Sequence, residues 1–492
     1  MNKLVDLLEG LEYLVVKGSL DRTVSQVVID SRKASENCMF ICISGFTSDG
    51  HEYAEAAVTA GASVLIVEKD IDMRAIDNIS KDVTVIRVHD SRIAMALISA
   101  SFYDHPSGKL KVIGITGTKG KTTTTYLVKS VLENAGFKVG LIGTIEIIIG
   151  DTHIPAKNTT PESFDLQGYF RRMVDEGIEI VVMEVASQGL KLHRTAGVEF
   201  EVGVFTNLSA DHIGPNEHDS FEDYMECKSR LFRQCRHGIV NVDDEHLMGI
   251  IKDHTCALST FGFNENSDIF ASDVRLIKEP GELGVSFDVK GEVNMKVSVP
   301  MPGKFTVYNA LAAISICRYF NVSKDVIVKA LSEASVKGRI EIVKTPYPFT
   351  LIIDYAHNAM SLESILTSLR EYGPNRLICL FGCGGNRSKD RRFEMGEVSG
   401  KMADITIITS DNPRNEEPQA IIDDIKTGIS KTKGRYEEII DRKDAIRYAM
   451  SIGRKNDIIV LAGKGHEDYQ EIKGIKYPMD ERVLIREILE EK

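Results

Sequence analysis

The sequence has no long hydrophobic run, because no uncharged apolar stretch reaches the roughly 18 residues that a membrane-spanning helix needs. Residues 1–12 carry charges among their apolar positions and lack a signal-peptide core followed by a cleavage site. The eight cysteines form no CxxC pair and no zinc-ligand spacing, and several lie inside apolar runs. We therefore expect a cytoplasmic protein with reduced, mostly buried thiols and no membrane insertion.

Negative charge outnumbers positive charge in the sequence. Sixty Lys and Arg face 72 Asp and Glu, which leaves a formal net charge of −12. Such a field repels nucleic acid and anionic lipid unless a local basic patch overrides it. The sequence shows no internal repeat and no compositionally biased tail. We expect no nucleic-acid partner, a monomer, and a focused site for any anionic ligand.

The size and composition are those of an ordinary globular chain, with 492 residues, 43% of them hydrophobic and 27% charged. At roughly 100 to 200 residues per domain, this length predicts about three domains. The sequence His105-Pro106-Ser107-Gly108 ends any helix before it, and a new strand–helix alternation begins near Lys337. We predict domains at residues 1–105, 106–336 and 337–492.

Each predicted domain has an α/β pattern, in which short apolar strands alternate with helical stretches. We predict a small N-terminal α/β domain, a central phosphate-loop domain with a parallel sheet, and a C-terminal Rossmann-like domain. Residues 270–299 predict antiparallel hairpins instead. The predicted strands are residues 39–44, 62–68, 111–117, 139–144, 178–185, 202–206, 238–242, 349–354, 376–382, 404–409 and 457–462.

A glycine-rich loop links the strand near residue 111 to an apolar-periodic helix that ends before Gly136. In such a loop, backbone N–H groups surround an anion, a lysine reaches the terminal phosphates, and a hydroxyl ligates Mg²⁺. Lys121 and Thr122 have these two positions, although Ile115 replaces the first glycine of the strict Walker spacing. A glycine-rich turn without a ligand is the alternative. The nucleotide-binding residues that we predict are Gly117, Thr118, Lys119, Gly120, Lys121, Thr122 and Thr123.

Further motifs follow this loop in a fixed order, and the set resembles the Mur ligase family across all three predicted domains. The segment Thr116–Thr122 is similar to the TGTxGKT loop of that family. Within the family, the set is most similar to the members that add the third amino acid of the peptidoglycan stem. The other motifs are Asn158-Thr159-Thr160-Pro161, Glu184, Asn207-Leu208-Ser209, Asp211-His212, Gly338-Arg339, Asp354-Tyr355-Ala356-His357, Gly382-Cys383-Gly384-Gly385, Asp411-Asn412-Pro413-Arg414 and Gly463-Lys464-Gly465-His466-Glu467.

The resemblance implies an ATP- and Mg²⁺-dependent ligase that adds meso-diaminopimelate to the γ-carboxyl of D-Glu in UDP-MurNAc-L-Ala-D-Glu, with roles in wall biogenesis, cell shape and division. Acyl-phosphate formation would precede attack by the amine. The resemblance gives metal-binding roles to Glu184 and His212. Glu184 also ends an apolar strand near the expected phosphates, where a carboxylate can ligate Mg²⁺, although a solvated surface position is the alternative. Asn309, Arg339 and Asp354 would complete the nucleotide site when the third domain closes.

Lys228 lies on the apolar stripe of a predicted helix from Phe221 to Phe232. A lysine that extends its ammonium to water is the usual explanation. Burial would instead lower its pKa, and a neutral amine reacts with CO₂ to form a carbamate. In the family the matching lysine is carbamylated and holds a second metal, so we predict N6-carboxylysine at Lys228.

The resemblance also implies binding residues for the two substrates. UDP-MurNAc-dipeptide would contact Ser31, Asn158, Thr159, Thr160, Ser187 and Arg194. The chain departs from the family pattern at Ala186, Leu192 and Thr306, and the first two departures remove expected polar contacts. Diaminopimelate would contact Arg387, Asp411, Asn412, Pro413, Arg414, Gly463 and Glu467.

Arg414 bears on the choice of amino acid. Diaminopimelate has a distal carboxylate that lysine lacks, and a planar guanidinium binds that group with two hydrogen bonds while it repels an ammonium. Arg414 therefore favours diaminopimelate, and a surface ion pair is the alternative reading. Two rival functions stay open: the same ligation with lysine or another amino acid, as in folylpolyglutamate synthetase for example, and a nucleotide-switched binding protein without ligase activity.

Overall fold

A computed structural model describes residues 2–45, 48–211, 213–214, 217–279 and 281–491. The chain separates into two compact units, of which the first contains Met1–Thr125 and Ala135–Thr260 and the second Tyr126–Asn134 and Phe261–Lys492. The three predicted domain boundaries stay a prediction. Among the described residues, no helix combines the length and the apolar character that crossing a bilayer requires.

The first unit has α/β structure. Its strands are β1 (Asn2–Lys3), β2 (Tyr13–Lys17), β3 (Thr23–Val24), β4 (Val27–Val28), β5 (Cys38–Ile41), β6 (Ala62–Val67), β7 (Thr84–Val88), β8 (Lys111–Thr116), β9 (Val139–Ile142), β10 (Glu146–Ile149), β11 (Thr152–Pro155), β12 (Ile180–Glu184), β13 (Phe200–Phe205) and β14 (Cys235–Asn241). Its helices are α1 (Leu4–Leu7), α2 (Ala54–Thr59), α3 (Met73–Ile79), α4 (Ser91–Phe102), the start of α5 (Lys121–Asn134), α6 (Ser163–Asp175), α7 (Ser187–Lys191), α8 (Phe221–Ser229) and α9 (Leu247–Ile250).

Two sheets organise this unit. The N-terminal sheet has the strand order β2-β7-β6-β5-β4, with β2 antiparallel and the other strands parallel. In the second sheet, β9, β12, β8, β13 and β14 lie side by side and parallel, and β10 and β11 extend this run antiparallel beyond β9. Every residue of β12 is buried, as expected for a central parallel strand covered on both faces. Glu184 therefore emerges at the carboxyl end of a central strand, beside the end of β8.

Helix α8 begins where the Ser220 side chain accepts a hydrogen bond from the Asp223 backbone N–H, which is an N-cap. The sequence predicted a single helical stretch through Phe232. The structure instead ends the α-helix at Ser229 and continues as a tighter 3₁₀ turn, Arg230–Arg233. Lys228 lies in the last turn of α8 and is 1% exposed, so the prediction of a buried lysine is confirmed.

The second unit begins within β15 (Ala257–Gly262) and also includes most of α5. Its other strands are β16 (Ile269–Glu279), β17 (Glu282–Gly291), β18 (Met295–Val299), β19 (Glu341–Val343), β20 (Thr350–Asp354), β21 (Leu377–Phe381), β22 (Ile405–Ile408), β23 (Tyr436–Glu438), β24 (Ile458–Ala462), β25 (Tyr469–Ile472) and β26 (Ile475–Pro478). Its other helices are α10 (Lys304–Tyr319), α11 (Lys324–Ser332), α12 (Ala359–Arg370), α13 (Lys389–Met402), α14 (Pro418–Ile429), α15 (Arg442–Ile452) and α16 (Glu481–Glu490).

Strands β16, β17 and β18 pair antiparallel, which confirms the predicted hairpins. The C-terminal sheet has the order β19-β20-β24-β21-β22-β23, in which β19 is antiparallel and the other strands are parallel. The strand order reverses between β20 and β21, which lie on either side of β24. In open parallel sheets, ligands bind at the carboxyl ends of strands near such a reversal. The loops that follow β21, β22 and β24 are the ones predicted to bind the amino acid.

Candidate functional site

The phosphate loop joins the end of β8 to the start of α5. Gly117 and Gly120 have φ angles of +149° and +86°, which favour glycine. A Cβ atom on Gly117 would lie 2.0 Å from Oγ1 of Thr206, so a side chain cannot fit there. The Lys121 ammonium donates to the carbonyl oxygens of Gly117 and Thr118 at 2.7 and 3.0 Å. The loop thus has the glycines, helix start and lysine of a phosphate site.

The segment after β13 holds this loop in place. The Asn207 side-chain oxygen accepts from the Lys119 backbone N–H at 3.0 Å, and its amide group donates to the Lys119 carbonyl at 3.0 Å. The Thr206 hydroxyl donates to the same carbonyl at 2.7 Å. Asn207, the first residue of the predicted Asn-Leu-Ser motif, therefore supports the loop through both ends of its amide.

Thr122 and Glu184 form a pair of oxygen ligands beside the loop. The Thr122 hydroxyl donates to Oε2 of Glu184 at 2.9 Å, and Glu184 is 1% exposed. Thr144 satisfies the carboxylate further, with its backbone N–H 2.8 Å from Oε1 and its hydroxyl 3.0 Å from Oε2. A carboxylate and a hydroxyl are the hard oxygen donors that Mg²⁺ prefers, so these residues fit that ion. Sequence reasoning did not find Thr144.

The Thr159 and Thr160 side chains contact Thr144 and the Glu184 backbone, respectively. The Thr159 hydroxyl lies 3.0 Å from that of Thr144, and the Thr160 hydroxyl donates to the Glu184 carbonyl at 3.0 Å. The Arg194 guanidinium donates to the Thr160 carbonyl at 3.0 Å and pairs with Glu162 at 2.6 Å. The structure therefore joins the predicted metal ligand to three residues predicted to bind the sugar nucleotide.

Three other residues of the first unit were also predicted to bind substrate or metal. Asn158 is exposed beside Thr159. Ser31 opens the 3₁₀ turn Ser31–Lys33, and no hydrogen bond between described residues joins it to the Glu184 cluster. His212 lies outside the described residues.

Lys228 reaches the phosphate loop from α8. Its Nζ donates to the Gly117 carbonyl at 2.9 Å and lies 4.5 Å from the centre of the Tyr224 ring. Burial lowers the Lys228 pKa well below its usual value, and the nearby charge of Lys121 lowers it further. The structure therefore places an amine with a depressed pKa beside the loop, as carbamate formation requires.

A buried polar cluster that the sequence did not reveal connects α7 and α8. Nε2 of His218 lies 2.9 Å from the Ser187 hydroxyl, and Nδ1 lies 3.1 Å from Asp223. Ligand atoms of His218, Asp223 and Cys227 lie within 4.8 Å of one another, which could suit a metal ion. The Lys191 ammonium, however, lies 2.8 Å from the Asp223 carboxylate, so we interpret the cluster as a hydrogen-bond network.

In the second unit, Arg339 and Asp354 lie around the end of β20. The Asp354 carboxylate accepts from the Ile340 and Ala356 backbone N–H groups, both at 2.8 Å. Burial raises the pKa of this carboxyl despite those bonds and the nearby Arg339 charge. The Arg339 guanidinium lies 4.7 Å from the centre of the Tyr355 ring. Asn309, also predicted to bind the nucleotide, is buried in α10. The Gly463 backbone N–H donates to the Asp354 carbonyl at 3.1 Å.

Arg414 is held at both its backbone and its side chain. Its φ angle is +51°, a left-handed conformation that costs free energy in a residue with a side chain. Its Nε donates to Oε2 of Glu471 at 3.1 Å, and its Nη1 donates to the Gly385 carbonyl at 2.7 Å. No described residue accepts a hydrogen bond from its Nη2, so the guanidinium keeps donors for a ligand.

Several residues predicted to bind the amino acid lie close to three glycines, Gly384, Gly463 and Gly385. A Cβ atom on Gly384 would lie 3.1 Å from Nη1 of Arg414 and 3.8 Å from Cγ of Arg387, so both arginines flank this glycine. A Cβ atom on Gly463 would lie 3.0 Å from the Asp411 carboxylate. The remaining close approach involves Pro413, whose carbonyl oxygen would lie 1.9 Å from a Cβ atom on Gly385.

Lys464 organises this group, and sequence reasoning assigned it no role. Its ammonium is fully buried and donates to Oδ1 of Asn412 at 3.0 Å, to Oε2 of Glu467 at 2.7 Å and to the Tyr469 carbonyl. The Asn412 side-chain amide donates to the same oxygen of Glu467 at 2.9 Å. Two predicted binding residues are thus fixed by one lysine.

Comparison with known proteins matches the chain to three family models in order: Mur ligase family, catalytic domain, over residues 23–103; Mur ligase middle domain over 115–317; and Mur ligase, glutamate ligase domain, over 338–465. A relative from Caldanaerobacter subterraneus subsp. tengcongensis is 44% identical over 99% of both chains. The chain belongs to the Mur ligase family. That relative is a UDP-N-acetylmuramoyl-L-alanyl-D-glutamate--2,6-diaminopimelate ligase, and so is one from Clostridium tetani, 42% identical over 99% of both chains.

Solved structures of Mur ligases share the fold. A UDP-N-acetylmuramoyl-L-alanyl-D-glutamate--2,6-diaminopimelate ligase is 26% identical, with a TM-score of 0.71 over 100% of this chain and 99% of the other. The MurF ligase from Thermotoga maritima, solved in complex with ADP, has a TM-score of 0.58 at 18% identity over 95% of this chain and 96% of the other. The predicted α/β fold and membership of the Mur ligase family are therefore confirmed.

Proposed function

We propose that this Mur ligase uses ATP to add meso-diaminopimelate to the γ-carboxyl of D-Glu in UDP-MurNAc-L-Ala-D-Glu, a step of peptidoglycan synthesis in the cytoplasm. The observation that carries ligation is the 2.9 Å bond between Thr122 and Glu184 beside the phosphate loop. It puts two Mg²⁺ ligands next to the lysine that would reach the terminal phosphates. The relatives above, which match nearly the whole chain, support the choice of substrates.

The loop residues Gly117, Thr118, Lys119, Gly120, Lys121, Thr122 and Thr123 would hold the nucleotide phosphates. Thr122, Glu184 and His212 would hold Mg²⁺, which would neutralise negative charge on the phosphate oxygens. We assign nucleotide contacts also to Asn309, Arg339 and Asp354. The Lys121 ammonium donates to two loop carbonyls, and anionic phosphate oxygens would replace these weaker acceptors.

We also propose that Lys228 reacts with CO₂. Its neutral amine would attack the carbon of CO₂, a C–N bond would form as one C–O π bond breaks, and the proton lost from nitrogen would pass to water. The product, an anionic carbamate, would be a further oxygen ligand for metal. The depressed pKa and the position of Nζ beside the Gly117 carbonyl support this assignment.

The reaction divides between activation and transfer. The substrate carboxylate attacks the γ-phosphorus, the bond to ADP breaks, and an acyl phosphate forms. The neutral amine of diaminopimelate then attacks the acyl carbon, the bond from that carbon to the phosphate oxygen breaks, and the nitrogen loses a proton to solvent as phosphate leaves. The protein would position the substrate carboxylate for this attack. The positive charge of Lys121 would screen the repulsion between that carboxylate and the γ-phosphate. Ser31, Asn158, Thr159, Thr160, Ser187 and Arg194 would hold the sugar nucleotide.

The amino acid would bind at the loops after β21, β22 and β24. We assign its distal carboxylate to Arg414 and a second carboxylate to Arg387. Asp411, Asn412, Pro413, Gly463 and Glu467 would contact its remaining polar groups. Lysine lacks the distal carboxylate, so the uncovered donors of Arg414 favour diaminopimelate.

The test is ADP release and product mass from the purified chain with ATP, Mg²⁺ and UDP-MurNAc-L-Ala-D-Glu, with diaminopimelate or lysine added. We expect an amide product with diaminopimelate and at least tenfold less with lysine. Lys121→Ala should lower turnover by ten- to a hundredfold, since it removes a charge-assisted hydrogen bond worth about 1.5–3 kcal/mol, whereas the exposed Lys109→Ala should not. A nucleotide-switched binding protein would bind ATP and give no amide product, which would overturn the proposal.

A further inference from the structure

The cluster of Ser187, His218 and Asp223 has a defined hydrogen-bond direction. Burial opposes the ionisation of Asp223, but bonds from Lys191, the Asp219 backbone N–H and His218 outweigh it and lower the pKa of this carboxyl. Burial also lowers the His218 pKa, against the opposing effect of Asp223. An ionised carboxylate only accepts, so Nδ1 of the neutral ring carries the proton and donates to Asp223.

The second ring nitrogen then has no proton. Nε2 of His218 lies 2.9 Å from the Ser187 oxygen, so the hydroxyl must be the donor in this contact. A serine hydroxyl has a single proton, and here that proton points at the histidine. The Ser187 oxygen therefore offers only lone pairs to any other partner.

We infer that Ser187 acts as an obligate hydrogen-bond acceptor that binds an amide N–H of the peptide stem, with His218 and Asp223 as positioning residues. This inference rests on the proposed function, which assigns Ser187 to the UDP-MurNAc-dipeptide. A carboxylate or phosphate oxygen would face a lone pair at this position and would be repelled.

The position of Ser187 favours one amide. It follows Glu184 by three residues, so their Cα atoms are at most about 10 Å apart along the chain. The substrate carboxylate must approach the phosphate that the Glu184 site serves. The amide nearest to that carboxylate within the substrate is the one between Ala and D-Glu, and its N–H is the donor that we assign to Ser187.

The test compares UDP-MurNAc-L-Ala-D-Glu with an analogue in which an ester replaces the Ala–Glu amide, using dissociation constants from calorimetry. The wild-type chain should bind the ester about tenfold more weakly, the loss expected for one hydrogen bond. Ser187→Ala should bind both ligands about equally. Asp223→Asn should behave like Ser187→Ala, because the asparagine amide can donate to Nδ1 and so no longer fixes the histidine tautomer.

Asp219→Asn is the matched control, since the Asp219 side chain is exposed and contacts the same Lys191. It should retain the wild-type preference for the amide. Equal losses with the ester in the wild type and in Ser187→Ala would overturn the inference, as would wild-type indifference to the ester. Because the readout is binding, a chain that binds the amide tightly but releases no ADP would contradict the proposed function and not this inference.

Discussion

Lys228 and Lys121 donate hydrogen bonds to the same backbone carbonyl, that of Gly117, over Nζ–O distances of 2.9 and 2.7 Å. Two like charges on one acceptor in a buried position repel each other. Loss of a proton from one of the two amines removes this repulsion. Lys228 is the more buried of the two, so it is the amine that we expect to lose its proton.

This relationship predicts how stability depends on pH. The pKa of Lys228 is lowered in the folded chain, so between that value and the ordinary lysine pKa the unfolded chain binds more protons. Stability must therefore rise with pH across this window. The free energy of unfolding of the wild type, measured relative to Lys228→Met by denaturant titration, should increase from neutral pH towards about pH 10. Lys252 is exposed, so the free energy of unfolding of Lys252→Met should change with pH as that of the wild type does. A difference between wild type and Lys228→Met that does not change with pH would contradict the prediction.

A second prediction concerns magnesium. Glu184→Gln replaces a buried carboxylate with a neutral amide, which leaves Thr122 bound but removes the charge that attracts the cation. We expect the Mg²⁺ concentration that gives half-maximal ADP release to rise at least tenfold. Glu245→Gln, which alters an exposed glutamate of the same unit, should leave it unchanged. Unaltered magnesium dependence in Glu184→Gln would exclude Glu184 as a ligand.

Arg414 gives a third prediction, on the choice of amino acid. Arg414→Ala removes the planar fork that we assign to the distal carboxylate, so the KM for diaminopimelate should rise by ten- to a hundredfold. The KM for ATP should stay within twofold of wild type. Arg435→Ala, at an exposed arginine in the same unit, serves as the control. An unchanged preference for diaminopimelate over lysine in Arg414→Ala would show that the fork does not select the substrate.

Lys464 yields the fourth prediction. Lys464→Met leaves Oε2 of Glu467 without its ammonium and removes one of the hydrogen bonds that Oδ1 of Asn412 accepts. We expect the KM for diaminopimelate to rise at least tenfold with a smaller change in kcat, because the effect reaches the substrate through two other residues. Melting temperature must be measured alongside, with the exposed Lys433→Met as the reference. A proportional loss for ATP and diaminopimelate together would instead indicate a purely structural role.

Local patterns were sufficient for much of this protein. The strand before Gly117, the loop and the helix after it lie within a few dozen consecutive residues, so the sequence predicts their geometry directly. Lys228 was also predictable as buried, because helical periodicity places it on an apolar stripe. Its position beside the Gly117 carbonyl was not, because 111 residues separate the two.

By itself the sequence determined the main alternation of strands and helices, the phosphate loop and the arginine after β22, since each depends on neighbouring residues. Only the tertiary structure decided that Thr144 completes the bonding of Glu184, that Lys464 binds Asn412, and that His218 lies within hydrogen-bond distance of Ser187. These contacts join segments from 31 to 52 residues apart. Hydrogen bonds between distant segments leave no regular spacing in the sequence. They can therefore be identified only once the fold has brought the two groups together.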